Sequence, residues 1–353
     1  MTAKEQFIQL VHAAFTAGKK LTVRDLRKFA DQTGLPDEDK NLWEYTELAW
    51  VLWYRRLSAA NYPDHGVMPF TVKHWFETLV DFYQKVQPTF TARDSTRQIF
   101  QQYSTAGPIS ALAGWFCDGG WPTTKVFEPS AGNGLLTIYY PPEDVSVNEI
   151  DQTRNANLQL QGYASITNLD ASQPFPASMR HRFDIILTNP PFGTLGDVNT
   201  DYGWKFRKLD HVMVAHALET MGSHGRAAIL IGGHTEFDEK TGFIKSGRAF
   251  FDWLFRHYRV IDMINIDSEK LYAKQGTTFP LRLILVAGRK QVPFGFAPNR
   301  RESAHFSTIA TTFEQLLEII GVDRKNAAQR MITLDDLLRD EVGKISMETN
   351  HLS

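Results

Sequence analysis

The amino-acid sequence predicts an α/β protein, a mostly parallel seven-stranded sheet with helices on both faces, plus an N-terminal helical region. Two observations predict it. Apolar residues recur at helical spacing up to about residue 100, and beyond about residue 120 short apolar runs alternate with helical stretches, the pattern of βαβ units. The division that follows is a helical region over 1–100, an α/β domain over 101–290 and a short helical extension over 291–353.

In the first region Phe7, Leu10, Val11 and Phe15 fall on one helical face, and Thr22 offers an N-cap to a helix beginning at Val23. Leu35-Pro36-Asp37-Glu38-Asp39 reads as a turn into a long helix rich in Trp43, Trp50, Trp53 and Tyr54, and another helix is expected from Thr71 through Val86. Aromatic residues spaced in this way are read as core packing and not as a ligand box. The strands are expected at 125–127, 145–147, 164–167, 183–187, 227–231, 260–264 and 281–286. A helix is expected near 152–162, a packing helix over 247–257, and two short helices near 312–320 and after Thr333, where Thr333-Leu334-Asp335-Asp336 resembles a capping sequence.

Composition narrows the class. The 353 residues are 42% hydrophobic and 22% charged, values of a globular protein with a sizeable core. No window approaches a membrane span, and the N-terminus runs into an amphipathic pattern unlike a signal peptide. The single cysteine, Cys117, excludes an internal disulfide and a cysteine-rich zinc site, and the expected compartment is a reducing cytoplasm. A formal net charge of −2 is not that of a strong nucleic-acid binder, so a nucleic-acid substrate requires local positive charge or a partner protein.

The first strand runs into Phe127-Glu128-Pro129-Ser130-Ala131-Gly132-Asn133-Gly134. Two glycines separated by one residue, between a strand and a helix start, permit a tight turn and close backbone approach to a ligand. Glu149 follows 21 residues after Glu128, just past the second strand, where an acid accepts hydrogen bonds from ribose hydroxyls in nucleotide-binding α/β folds. Asp170 follows the third strand, placed to accept from an adenine amino group. The third glycine of a dinucleotide fingerprint is missing, since position 137 is Thr, so an adenosine-containing ligand fits better than a dinucleotide.

The fourth strand ends in Asn189-Pro190-Pro191-Phe192. A double proline cannot continue a sheet ladder, so the chain must leave the sheet there and carry Asn189 and Phe192 to the cleft. The following stretch, Thr194 to Lys208, interleaves Tyr202, Trp204, Lys205, Arg207 and Lys208. It reads equally as a contact for an extruded strand or as the start of an amphipathic helix. His211 and His216 do not share a helical face, so no metal pair is expected.

Taken together, Glu128-Pro129-Ser130-Ala131-Gly132-x-Gly134, Glu149-x-Asp151, Asp170 and Asn189-Pro190-Pro191-Phe192 resemble motifs I to IV of the amino-methyltransferases. Their order resembles that of the gamma-class DNA adenine-N6 methyltransferases. Tyr103-Ser104-Thr105 resembles the family's Tyr/Phe-x-Thr-Pro element, with Ala106 in place of proline and Pro108 two residues on. The resemblance spans 95–290. It implies a Rossmann-like class I methyltransferase fold and S-adenosylmethionine as cofactor. Contacts to that cofactor are implied for Tyr103, Thr105, Glu128, Pro129, Ser130, Ala131, Gly132, Gly134, Glu149, Ile150, Asp170, Ala171 and Asn189.

The resemblance also implies the chemistry. Asn189 and Pro190 would accept the two hydrogens of the adenine amino group, Pro191 would fix the backbone, and Phe192 with Tyr272, or with the competing Phe279, would stack on a flipped base. No metal is implied. DNA is the expected partner and RNA the runner-up, because the tail after 290 is short for a family whose members carry a larger recognition domain there. Recognition then falls to the N-terminal helices, to the stretch after Phe192, or to a recognition or nuclease partner protein. A methyltransferase-like scaffold that binds nucleic acid without catalysis is the remaining alternative, against which Asn189 and both glycines are retained.

Overall fold

The computed structural model describes residues 1–35, 42–60, 69–89, 104–119, 124–199 and 203–327. Among the described residues four helices open the chain: α1 (Ala3–Thr16), α2 (Val23–Thr33), α3 (Leu42–Ala60) and α4 (Pro69–Asp81), the last continued by a π-turn over Phe82–Val86. Thr2 with Glu5 and Thr22 with Asp25 form capping boxes, so two otherwise orphaned donors are satisfied at each start. The expected aromatics are core: Trp50 and Tyr54 are fully buried, and Trp53 stacks on Phe82. The expected turn over 36–39 lies outside the described residues, as do Tyr103 and the segment after Thr333.

Helix α5 (Gly107–Cys117) has Pro108 in its first turn, where a missing N–H is harmless, and is buried on nearly every side. Then come β1 (Val126–Glu128), β2 (Val145–Asn148), α6 (Gln152–Leu158), β3 (Ser165–Thr167) and β4 (Phe183–Thr188). The helix start expected after the glycine turn shortens to a single 3-10 turn at Leu135–Thr137.

The stretch after Phe192 is neither a loop nor a helix start. It forms an antiparallel hairpin, β5 (Thr194–Asn199) with β6 (Lys205–Lys208), pairing Val198 with Phe206. The reason is tertiary: Phe206 is buried with its ring edge-on to Phe250 and Trp253, which anchors the returning strand. Next follow α7 (Leu209–Glu219), β7 (Met221–Gly232), α8 (Arg248–His257), β8 (Tyr258–Ile266), the one-turn α9 (Ser268–Leu271), β9 (Leu281–Arg289) and β10 (Ile309–Ala310). A last helical stretch covers 313–327.

All seven expected strands form, in the order β10-β8-β9-β7-β4-β1-β2-β3. The eighth, β10, adds two residues to the edge beside β8, too few to leave an alternating pattern in the sequence. Pairing is parallel except for β9, which runs antiparallel to β7 and β8. Strand residues alternate between the two faces. Val126, Ile185, Leu187, Ala228 and Leu230 face a core shared with α1, α3, α4 and α5, whereas Phe127, Ile186, Ala227, Ile229 and Ile231 face α7 and α8. The N-terminal helices therefore form one cover of the sheet.

Candidate active site

Successive strands run outward from β1 in opposite directions, β2 and β3 on one side and β4 and β7 on the other. The crevice outside their carboxyl ends is where open α/β sheets bind ligands. Glu128, Glu149, Asp170, Asn189 and Gly232 all stand at those ends, and Phe279 enters the same edge from the start of antiparallel β9.

The turn after β1 is held by polar contacts on every side. Gly132 (φ 56°) donates its N–H to Glu149 Oε2 at 2.7 Å, and the Ala131 N–H donates to the Asn148 carbonyl at 2.9 Å. Asn148 in turn donates through Nδ2 to the carbonyls of Pro129 and Leu169, tying the ends of three strands together. A side chain on Gly132 would meet open space, so this turn faces the crevice, and the positive φ explains the glycine. Asn133 points the other way, 1% exposed, donating through Nδ2 to Glu44 Oε2 (2.7 Å) and Glu47 Oε2 (3.0 Å) and accepting from Asn157 Nδ2 (2.7 Å).

Within this turn, Glu128 Oε2 and Ser130 Oγ are buried without a hydrogen-bond partner. Burial pushes the Glu128 carboxyl well above its ordinary range, with nearby Arg55 opposing that shift and Glu149 adding to it. A buried polar atom without a partner is costly unless a ligand fills the role, so a group carrying hydrogen-bond donors such as an ammonium fits here. Glu149 is likewise raised by burial, offset chiefly by Arg154, and its Oε1 accepts from the Asp151 N–H at 2.8 Å. Ile150 beside it is exposed, an apolar surface flanking the acid. Asp170 is exposed and accepts from the Ser172 N–H through Oδ1, while Ala171 is buried.

On the other side of β1, Asn189 Nδ2 donates to Thr105 Oγ1 at 2.9 Å. Pro190 is buried, and Phe192 stacks on Phe279 with ring centroids 5.4 Å apart and planes 25° from parallel. Gly232 lies against both rings: a Cβ there would stand 3.0 Å from Phe279 and 3.2 Å from Phe192. Its N–H donates to Asp210 Oδ2 at 3.2 Å and its carbonyl accepts from the buried Arg282 at 3.3 Å. Tyr272 does not reach the cleft. It is 1% exposed, its hydroxyl lies against Thr105 and the Ala106 backbone, and burial pushes the phenol up. Of the two competing aromatics, Phe279, 43% exposed, is the one set beside Phe192.

Sequence reading missed the group behind the turn. Arg55 of α3 donates to the carbonyls of Gly134, Thr137 and Tyr140, to Thr137 Oγ1 at 2.7 Å, to Gln161 Oε1 and to the Tyr163 hydroxyl. Glu44 pairs with Arg154 at 3.1 Å, both largely buried. The available signal was the polar stripe Glu44, Glu47 and Arg55 along one face of an otherwise aromatic helix.

No family model matches the chain, and no curated protein matches it. Among solved structures, the chain is similar to a putative class I S-adenosylmethionine-dependent methyltransferase from Listeria monocytogenes (12% identity, 92% of this chain and 98% of that one, TM-score 0.48). It is also similar to the methyltransferase subunit of a type I restriction-modification system from Streptococcus thermophilus (14% identity, 90% and 74% covered, TM-score 0.47). A putative RNA methyltransferase from Pyrococcus horikoshii is a third (16% identity, 60% and 97% covered, TM-score 0.38). Likeness this distant assigns no substrate.

Proposed function

We propose that this chain is an S-adenosylmethionine-dependent methyltransferase acting on the exocyclic amino nitrogen of adenine in DNA. The observation that carries the reading is the placement of Asn189-Pro190-Pro191-Phe192 at the end of β4, next to the β1 turn with its unpartnered Glu128 and Ser130 oxygens. Glu128, Ser130 and the Gly132 turn would hold the amino-acid end of the cofactor, and Glu149, Ile150 and Asp170 its nucleoside end. S-adenosylmethionine supplies a methyl group on a sulfonium, an electrophile that needs no activation by the protein.

The chain's own residues then have to prepare a poor nucleophile. The adenine amino lone pair is delocalised into the ring, so the nitrogen is planar and weakly reactive. The Asn189 side-chain oxygen and the Pro190 carbonyl accept its two hydrogens, favour a pyramidal nitrogen and stabilise the positive charge that develops there. Holding the base by its faces against Phe192 and Phe279 fixes the line of attack. A base inside a duplex must leave the stack to reach these groups, and the aromatic pair offsets part of that loss.

Purified protein with isotopically labelled cofactor, offered DNA, total RNA and protein extract, tests this reading. N6-methyladenine in hydrolysed DNA is the expected product. Label found only in RNA or in protein would overturn the DNA assignment, and absence of cofactor binding by calorimetry would favour a non-catalytic scaffold.

A further inference from the structure

The two ends of an asparagine amide have nearly the same shape and opposite chemistry, one an acceptor and the other a double donor. For Asn189 to accept a hydrogen from an amino group its oxygen must face the substrate. The reversed amide would set NH2 against NH2. Something in the fold therefore has to tell the two ends apart.

One contact that does so is Thr105 Oγ1, which accepts from Asn189 Nδ2 at 2.9 Å. Thr105 is 3% exposed and its backbone is pinned: Gln275 Nε2 donates to the carbonyls of Thr105 (2.9 Å) and Ser104 (3.1 Å). Gln275 is itself fixed by Gln87, whose Nε2 donates to Gln275 Oε1 at 2.9 Å and whose Oε1 accepts from the Tyr54 hydroxyl at 3.0 Å. The series from α3 to Asn189 is buried, and each of these side chains has a defined donor or acceptor role. In the arrangement the structure holds, Thr105 accepts from Nδ2, which leaves the Asn189 oxygen on the other side of the amide.

We propose that Thr105, held by Gln275, is the positioning residue that orients the Asn189 amide with its oxygen toward the target amino group. This rests on the methyltransferase reading above and assigns Thr105 a role different from the cofactor contact that the motif resemblance implies for it.

The test compares Thr105→Val, nearly isosteric but without an acceptor, with Thr105→Ser, which keeps the hydroxyl, on an adenine-containing DNA oligonucleotide. Wild type and Asn189→Ala run alongside. The expected result is a kcat lowered about 100-fold in Thr105→Val, the order of loss from a misplaced reacting group. Its cofactor affinity by calorimetry and its melting temperature should stay near wild type, and Thr105→Ser should recover most of the rate. An unchanged kcat in Thr105→Val, with that of Asn189→Ala strongly lowered, would overturn the positioning role while leaving the methyltransferase reading intact. A loss of cofactor affinity with kcat preserved at saturation would assign Thr105 to the cofactor instead. Wild-type protein inactive on every nucleic acid would remove the reading beneath both.

Discussion

The two halves of the site are built differently although they share one sheet edge. The turn proposed to hold the cofactor, 128–134, is fastened by side chains from two other elements: from α3, Glu44 and Glu47 to Asn133 and Arg55 behind the whole loop, and from the end of β2, Glu149 to Gly132. On the proposed transfer side, 189–192, the bond from Asn189 to Thr105 stands beside an aromatic pair with one member 43% exposed. Several buried polar contacts acting together rigidify a loop, whereas a stacked pair at a rim can be repositioned at modest expense. The difference teaches where change will register: in stability and cofactor affinity on one side, in turnover and substrate affinity on the other.

The largest effect should come from the transfer side. Asn189→Ala removes the proposed acceptor of the target amino group and should lower kcat by about 100- to 1000-fold, the loss typical of one preorganised group, with cofactor affinity unchanged by calorimetry. A parallel loss of cofactor affinity would break the contrast. On the cofactor side, Arg55→Ala strands several carbonyls and should cost about 3 kcal/mol in denaturant unfolding. Arg55→Lys should recover only part of this, since an ammonium cannot reproduce a planar fork of donors. A variant that kept full stability would mean that the turn holds itself.

Phe279→Ala removes one stacking face and should raise KM for the nucleic-acid substrate by about tenfold, within the range for a lost base–aromatic contact, with little change in melting temperature. The smallest effect concerns pH. Glu128 has a folded-state pKa above its unfolded value, so the folded protein holds the extra proton in that window and stability falls as pH rises above about 4.5. Glu128→Gln should flatten that fall in a series of cofactor-free melts and weaken cofactor binding. An unaltered pH profile would show that the carboxyl ionises freely in the fold.

Seven strands and the order of the site motifs were legible because each leaves a local trace: a short apolar run, a strand-end acid, or a glycine or double proline at an exit. The hairpin after Phe192 was not, because Phe206 is fixed by Phe250 and Trp253, more than forty residues further along. Tyr272 was assigned to the cleft by motif position, yet nothing local distinguishes an aromatic turned into the core from one turned out. The support from α3 escaped for a similar reason. Its aromatic residues announced burial, and the three polar residues that reach the cofactor turn lie among them.

The Phe192–Phe279 pair has a further consequence. A planar ring between two others needs two layers of contact, about 7 Å in all, and these rings stand 5.4 Å apart. Gly232 beneath them offers no side chain to prop them open. Each ring covers one face of the other. On the proposed reading a visiting base would enter by exchange, breaking one stack to make two, and its apparent affinity would be discounted by the fraction of time the pair is closed.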